Sequence, residues 1–405
     1  MHVNAHLDVD LVAVQQTDVL TLMLELEAPI PDVGAPRANA TVVVVLDRSG
    51  SMSDGRLEAA KTALVALVDR LAPQDRLGLV TFDEEVEVVV PAGPVTDKPA
   101  LKQRIADIET GGMTNLSGGL LRGIQEARRV AGPTGATVVL LSDGHANHGV
   151  TDPAKLEAVA QRAGVTLSTV GLGLGYDEDL LGAIARGGRG DHVFAEGVDA
   201  AGPALAAQVD GLLSKSVQAA SLLIRPIGAV EGVELFNDLP GQGVEGGVMV
   251  ELGDLWAGEQ RTLLVGLHVP AMPGLGLAEV ASLELRYVAL PGLVEETVTL
   301  PVFVNVVPGD EAAGRIANPK VRQELLFQQA QKSKREAMDD LARGDVAGAA
   351  MTLRDAAGVL PPLHDEERDV LLSMATEAEQ DDAVRARKRL AADHARKSRR
   401  RGREE

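Results

Sequence analysis

The sequence predicts an α/β fold: a doubly wound, mostly parallel sheet inserted in or packed on an antiparallel β-sandwich, with a C-terminal helical region. Three observations carry this. The run Thr41–Leu46, TVVVVL, is continuously β-branched or aliphatic, as in strands covered on both faces within a parallel sheet. From there to about residue 213, strand-like and helix-periodic segments alternate, the pattern of right-handed crossovers. Beyond about residue 216, strands follow one another through Gly/Pro turns with no helical segments between them, as in an antiparallel sandwich.

Each element is justified in turn. Residues 7–14 and 19–27, the second reading VLTLMLELE, alternate with period two and predict half-buried strands. They have no partner of their own and are expected to join the sandwich. A polar, Pro-containing connection, 29–38, follows. Strands are then predicted at 41–46, 76–82, 137–141, 165–170 and 192–195, with 85–90 returning as a hairpin partner. Helices are predicted at 57–71, 98–108, 116–130, 153–163, 178–185 and 200–213. The sandwich strands are expected at 219–227, 246–251, 262–269, 278–288 and 295–307. From residue 318 the periodicity is helical, with Gly344 and Pro361-Pro362 as natural stops. The expected organisation is residues 1–36 as strands of the sandwich, 37–216 as the α/β domain, 217–308 as the sandwich, 318–384 as the helical region and 385–405 as a basic tail. That tail is expected to be a fraying helix or disordered.

Composition narrows the function. Aromatic residues are 2% of the chain, so its cores are built from Val, Leu and Ala, and base-stacking recognition of single strands is disfavoured. The absence of cysteine excludes disulfides, thiolate metal sites and a cysteine nucleophile. The start, MHVNAHLDVD, lacks the basic and apolar runs of a secretory signal, and no apolar run approaches the ~20 residues of a membrane helix. A cytoplasmic location is therefore expected. The net charge is −20, yet residues 385–405 carry ten Lys or Arg against three acidic residues. Such a tail suggests nucleic acid, an acidic surface or another copy's acidic body as partners, or simply solvent.

Chemistry in a doubly wound sheet gathers outside the carboxyl ends of its strands. Three oxygen-rich segments lie at such positions: Asp47-Arg48-Ser49-Gly50-Ser51, Gly111-Gly112-Met113-Thr114-Asn115 and Leu141-Ser142-Asp143-Gly144. Carboxylates and hydroxyls are hard donors, suited to Mg²⁺, Mn²⁺ or Ca²⁺ rather than Zn²⁺ or Cu²⁺. Neutral direct ligands would leave such an ion electrophilic, so that an open position attracts a carboxylate from another molecule. Asp47 alone could equally be a helix cap or turn residue.

Asp47-x-Ser49-x-Ser51, then Thr114, then Asp143 resembles the metal-ion-dependent adhesion site of von Willebrand factor A and integrin inserted domains. DRSGSM, TNLSGGL and LSDGHANHG look similar to bacterial, intracellular members. The resemblance covers about 180 residues. It implies that Ser49, Ser51 and Thr114 coordinate Mg²⁺ or Mn²⁺, that Asp47 and Asp143 act largely through water, and that a partner's Asp or Glu completes the sphere. More loosely, Leu252–Glu259, LGDLWAGE, is similar to the β-region that follows such domains in bacterial proteins.

Other motifs have plainer readings. His145 and His148 follow Asp143 and are expected as rim residues of its loop, though imidazole is a common metal ligand. Gly171-Leu172-Gly173-Leu174-Gly175 lacks dinucleotide-loop spacing and reads as a tight turn. Ser49 and Ser51 are not in a G-x-S-x-G elbow, and no phosphate loop is present. The expectation is a non-enzymatic, metal-dependent protein–protein interaction module. The alternatives are an adaptor subunit of an AAA-type ATPase assembly or metal-insertion machine and, last, a metal-dependent hydrolase.

Overall fold

Thr41–Asp47 is buried along its whole length and lies at the centre of a six-stranded sheet in the computed structural model, which describes residues 1–31, 37–228, 230, 232–380, 382–397 and 401–403. The chain divides into two compact units. One comprises residues 32–215 with 290–293, and the other 1–31, 216–289 and 294–405.

In the first unit the strand order is Val86–Pro94, Arg76–Phe82, Thr41–Asp47, Thr137–Ser142, Thr166–Leu172, Arg189–Ala195. Val86–Pro94 pairs antiparallel with its neighbour and the remaining pairs are parallel. The order reverses between Thr41–Asp47 and Thr137–Ser142, which makes their carboxyl ends the switch point where such sheets bind ligands.

Alternation along Thr41–Asp47 feeds two cores. Val42, Val44 and Leu46 meet Leu57, Leu64 and Val68 of helix Arg56–Arg70 on one face. Val43 and Val45 meet Leu116, Leu120 and Ile124 of helix Leu116–Val130 on the other. Each such buried aliphatic side chain contributes about 1.5–3 kcal/mol. Asn115 starts the second of these helices, its carboxamide oxygen accepting the Gly118 N–H, as a capping side chain should. Gly119 and Gly123 let this helix lie close on the sheet. A Cβ on them would come within 2.5 Å of Phe82 Cδ1 and 2.2 Å of Val45 Cγ2.

The second unit contains two sheets. In one, Asp18–Glu27 runs antiparallel between His2–Leu7 and Glu259–Val269, with Gly232–Leu235 beyond. The other orders Gly241–Val244, Gly247–Trp256, Lys215–Pro226, Gly276–Ala289, Val294–Val307 and Leu11–Ala13. Leu24, Leu263, Ile224 and Leu285 belong to their shared core. The strand expected over 7–14 is instead two strands broken at Asp8. Asp8 Oδ1 accepts the Val9 and Thr21 N–H groups, and this local bonding replaces the ladder. Trp256, the single tryptophan, ends Gly247–Trp256 half-buried, its backbone N–H donated to the Glu259 carboxylate. Glu259 also pairs with the fully buried Arg261 at 2.7 Å.

Helices Pro319–Ala342, Val346–Val359, Asp365–Glu379 and Ala383–Lys397 form the C-terminal part of this unit. The last departs from the expected boundary at residue 384 and from the expectation of a fraying or disordered tail. Ala386, Leu390 and Ala391 sit on one helical face and are buried, so the segment packs despite its charge. Lys334, shielded completely, bonds to Glu367 and Asp393, and Lys397 adds a second cation to the same pair. Arg401–Arg403 then pairs antiparallel with Glu259–Arg261. Among the described residues no helix is long and apolar enough to cross a membrane.

Candidate metal centre

The three oxygen-rich segments converge at the switch point. Asp47 is the last residue of its strand and is fully buried. Its Oδ1 accepts the Ser49 N–H at 2.8 Å, and its Oδ2 accepts the Ser142 hydroxyl at 2.6 Å. Burial pushes the Asp47 carboxyl up to about 6, against the pull of the hydrogen bonds from Ser142 and Ser49, with a smaller push from the charge of Asp143. Among the described residues no basic side chain pairs with it.

The Ser49 and Ser51 hydroxyl oxygens are 3.2 Å apart. Ser51 Oγ donates to Asp143 Oδ1 at 2.6 Å. Thr114 reaches the same place: a Cβ on Gly144 would stand 3.2 Å from Ser51 Oγ and 4.0 Å from Thr114 Oγ1. Ser49, Thr114 and Asp143 are buried and Ser51 is exposed, so the cluster has one open side. All five residues expected from the sequence are thus brought together.

Their backbone is held by cross-links between loops. Gly50 donates its N–H to the Gly112 carbonyl and Gly111 donates to Arg48, tying the first segment to the second. A Cβ on Gly111 would overlap the Asp83 carboxylate at 1.7 Å, so only glycine fits. Met113 is exposed. Thr114 is fixed by the third segment: its N–H donates to Asn147 Oδ1 at 2.8 Å, and its carbonyl accepts from the Asn147 and His148 N–H groups. His145 and His148 are exposed on that loop. The Gly171–Gly175 turn supports Asp143 from behind. A Cβ on Gly175 would come 2.8 Å from the Asp143 carbonyl, and the Tyr176 ring fills the space over Gly171.

Three contributors were not anticipated. Ser142 bonds to Asp47, Asn147 holds Thr114, and Arg56 Nη1 lies 2.8 Å from Asp143 Oδ2. Ser142 sits beside Asp143 in sequence and was the one discoverable by position. The other two are set by how the loops fold.

Two carboxylates and three hydroxyls make a hard-oxygen donor set. Among the described residues no group of three or more His, Cys, Asp or Glu could hold a metal, so any ion here depends on the hydroxyls. A carboxylate buried without a cation, as Asp47 is, carries a desolvation cost that a divalent ion would repay. The residues fit the ion.

Residues 41–200 match the model of the von Willebrand factor type A domain. The chain carries such a domain. Outside it, the likeness continues along most of the sequence. An uncharacterized protein of Synechocystis sp. is 28% identical over 339 residues, which is 79% of this chain and 78% of the relative. The von Willebrand factor type A protein of Catenulispora acidiphila shares the fold at a TM-score of 0.75 and 18% identity, covering 93% of this chain and 89% of that one. The ArnB paralog VWA2 of Sulfolobus acidocaldarius shares it at 0.70 and 16% identity, covering 99% of each. Von Willebrand factor type A domains generally bind a divalent metal and mediate metal-dependent protein–protein contacts.

Proposed function

We propose that this chain is a non-enzymatic binding module whose von Willebrand factor type A domain holds Mg²⁺, or Mn²⁺ or Ca²⁺ in its place, and grips an Asp or Glu of a protein partner through the ion. The observation that carries this is Asp47: a fully buried carboxylate, without a basic partner among the described residues, beside Ser49, Ser51, Thr114 and Asp143. Ser49, Ser51 and Thr114 would offer neutral oxygens directly, with Asp47 and Asp143 balancing the charge. An ion so held supplies an electrophilic position for a carboxylate.

The rim supports a macromolecular ligand. Met113, Val150 and Leu174 are exposed apolar side chains on the three loops bordering the cluster. Exposed apolar side chains beside a charged anchor give a protein partner contacts that exclude water from it.

The test has two arms. Mn²⁺ titrated into the wild-type chain should bind at one site, and Asp47→Ala should abolish that binding while remaining folded. Partner capture in Mg²⁺ should be lost in EDTA and in Asp47→Ala. Capture that survives both would sink the reading. Metal-dependent turnover of an ester or phosphoester, lost in Asp143→Ala, would favour a hydrolase instead.

A further inference from the structure

Arg56 opens the helix Arg56–Arg70 and directs its guanidinium at the cluster. Its Nη1 lies 2.8 Å from Asp143 Oδ2 and 2.8 Å from the Ser51 carbonyl oxygen. The other Asp143 oxygen, Oδ1, accepts the Ser51 hydroxyl, so both oxygens of this carboxylate are engaged. The Asp143 side chain is wholly shielded, whereas that of Arg56 is 35% exposed. Gly173 shapes the seat: its φ is +69°, and a Cβ there would come 3.3 Å from Arg56 Nε. Beside the guanidinium is a cavity of about 260 Å³, lined by Arg56 with Ala59, Leu172, Leu174 and Glu196 among others.

Building on the metal-dependent reading above, we propose that Arg56 competes with the divalent cation for Asp143, and that its side chain moves into the adjoining cavity when the ion enters. Charge counting gives the reason. Two carboxylates bring two negative charges and the guanidinium returns one positive. A divalent ion added with Arg56 in place leaves the centre with a surplus positive charge; with Arg56 withdrawn, the centre is neutral. In a site this shielded, like charges repel strongly. The cavity offers Leu172 and Leu174 for the aliphatic stem of the arginine, while the head keeps access to solvent. Arg56 must give up its bonds to Asp143 and the Ser51 carbonyl before the ion can use that carboxylate, and so weakens binding of the ion.

The experiment titrates Mn²⁺ into the full-length wild type and the variants Arg56→Met, Arg56→Gln and Arg56→Lys, followed by calorimetry or by the Mn²⁺ electron paramagnetic resonance signal. Thermal melts in EDTA and in Mn²⁺ run beside it. Arg56→Met and Arg56→Gln are expected to bind Mn²⁺ about tenfold more tightly than wild type, with Arg56→Lys close to wild type. Mn²⁺ should also raise the melting temperature of the two neutral variants by more than that of wild type. Either neutral variant, folded by circular dichroism and binding Mn²⁺ no more tightly than wild type, overturns the proposal and leaves the metal reading standing. A gain as large in Arg56→Lys overturns it too, because shape rather than charge would then be responsible. Absence of Mn²⁺ binding in wild type and neutral variants alike overturns both readings.

Discussion

Ser142 Oγ donates to Asp47 Oδ2 at 2.6 Å in a fully buried setting, and so joins the ends of the two strands that flank the switch point. A hydrogen bond to a charged, buried acceptor contributes about 1.5–3 kcal/mol. Ser142→Ala removes it and leaves Asp47 harder to ionise. Mn²⁺ affinity is expected to fall about 10- to 100-fold, with the fold retained. Calorimetry on the folded variant checks this, and an unchanged affinity would show that Ser142 only fills space.

Asp47 sets a stability cost that the ion removes. The folded protein holds the Asp47 proton up to about pH 6, whereas an unfolded chain releases it near pH 3.9. Between those values the folded state binds more protons, so stability falls as pH rises through the window. Asp47→Asn lacks that charge. In EDTA at pH 7 it should be more stable than wild type by up to about 3 kcal/mol, with the advantage vanishing below about pH 4. Mn²⁺ should stabilise wild type and leave Asp47→Asn unmoved. Denaturant titrations across this pH range read both effects.

The approach of helix Leu116–Val130 to the sheet rests on Gly123 over Val45. Gly123→Ala inserts a methyl group where there is no room and should cost about 1–3 kcal/mol. Val45→Ala opens a void and is destabilising alone. Combined, they should cost clearly less than the sum of the single changes, because the added methyl enters the vacated space. Additive costs would mean that the contact does not set the spacing.

In the helical region Lys334 is enclosed with Glu367 and Asp393. Lys334→Ala leaves those carboxylates undercompensated and should cost about 3–5 kcal/mol. Burial opposes ionisation of both acids, but Lys334 and Lys397 outweigh it and hold both below their ordinary carboxylate range. The depressed values mean that the stability from these groups is present at neutral pH and lost as pH falls below about 4. The helical content of wild type should therefore drop in acid earlier than that of Lys334→Met/Glu367→Leu/Asp393→Leu, in which no ionic cluster remains to protonate.

Much of this was legible because its signals are local. Thr41–Leu46 advertises a buried strand by composition, and the motif residues lie within a few positions of strand or helix ends, so their convergence follows from the topology. Arg56 and Asn147 carried no such mark. Arg56 is nine residues beyond Asp47 and meets Asp143 only after the chain has turned into its helix with Asp54 and Gly55 at positive φ. Ala383–Lys397 was misread for a different reason. Its basic residues dominate the composition, and the apolar stripe that packs it is mostly alanine, which periodicity weighs lightly. Asp8 shows the limit of alternation: a single side chain accepting two backbone N–H groups interrupts a strand without changing the pattern.

The scarcity of aromatic residues has an optical consequence. Trp256, the single tryptophan, belongs to the sandwich-containing unit, and of the two tyrosines Tyr287 lies there while Tyr176 lies in the metal-site unit. Excitation at the red edge of the spectrum therefore illuminates one unit alone, without any label. If loading an ion beside Asp47 changes tryptophan emission, the signal has crossed from one unit to the other. If the emission stays silent while calorimetry records heat, the two halves act as separate instruments on one chain.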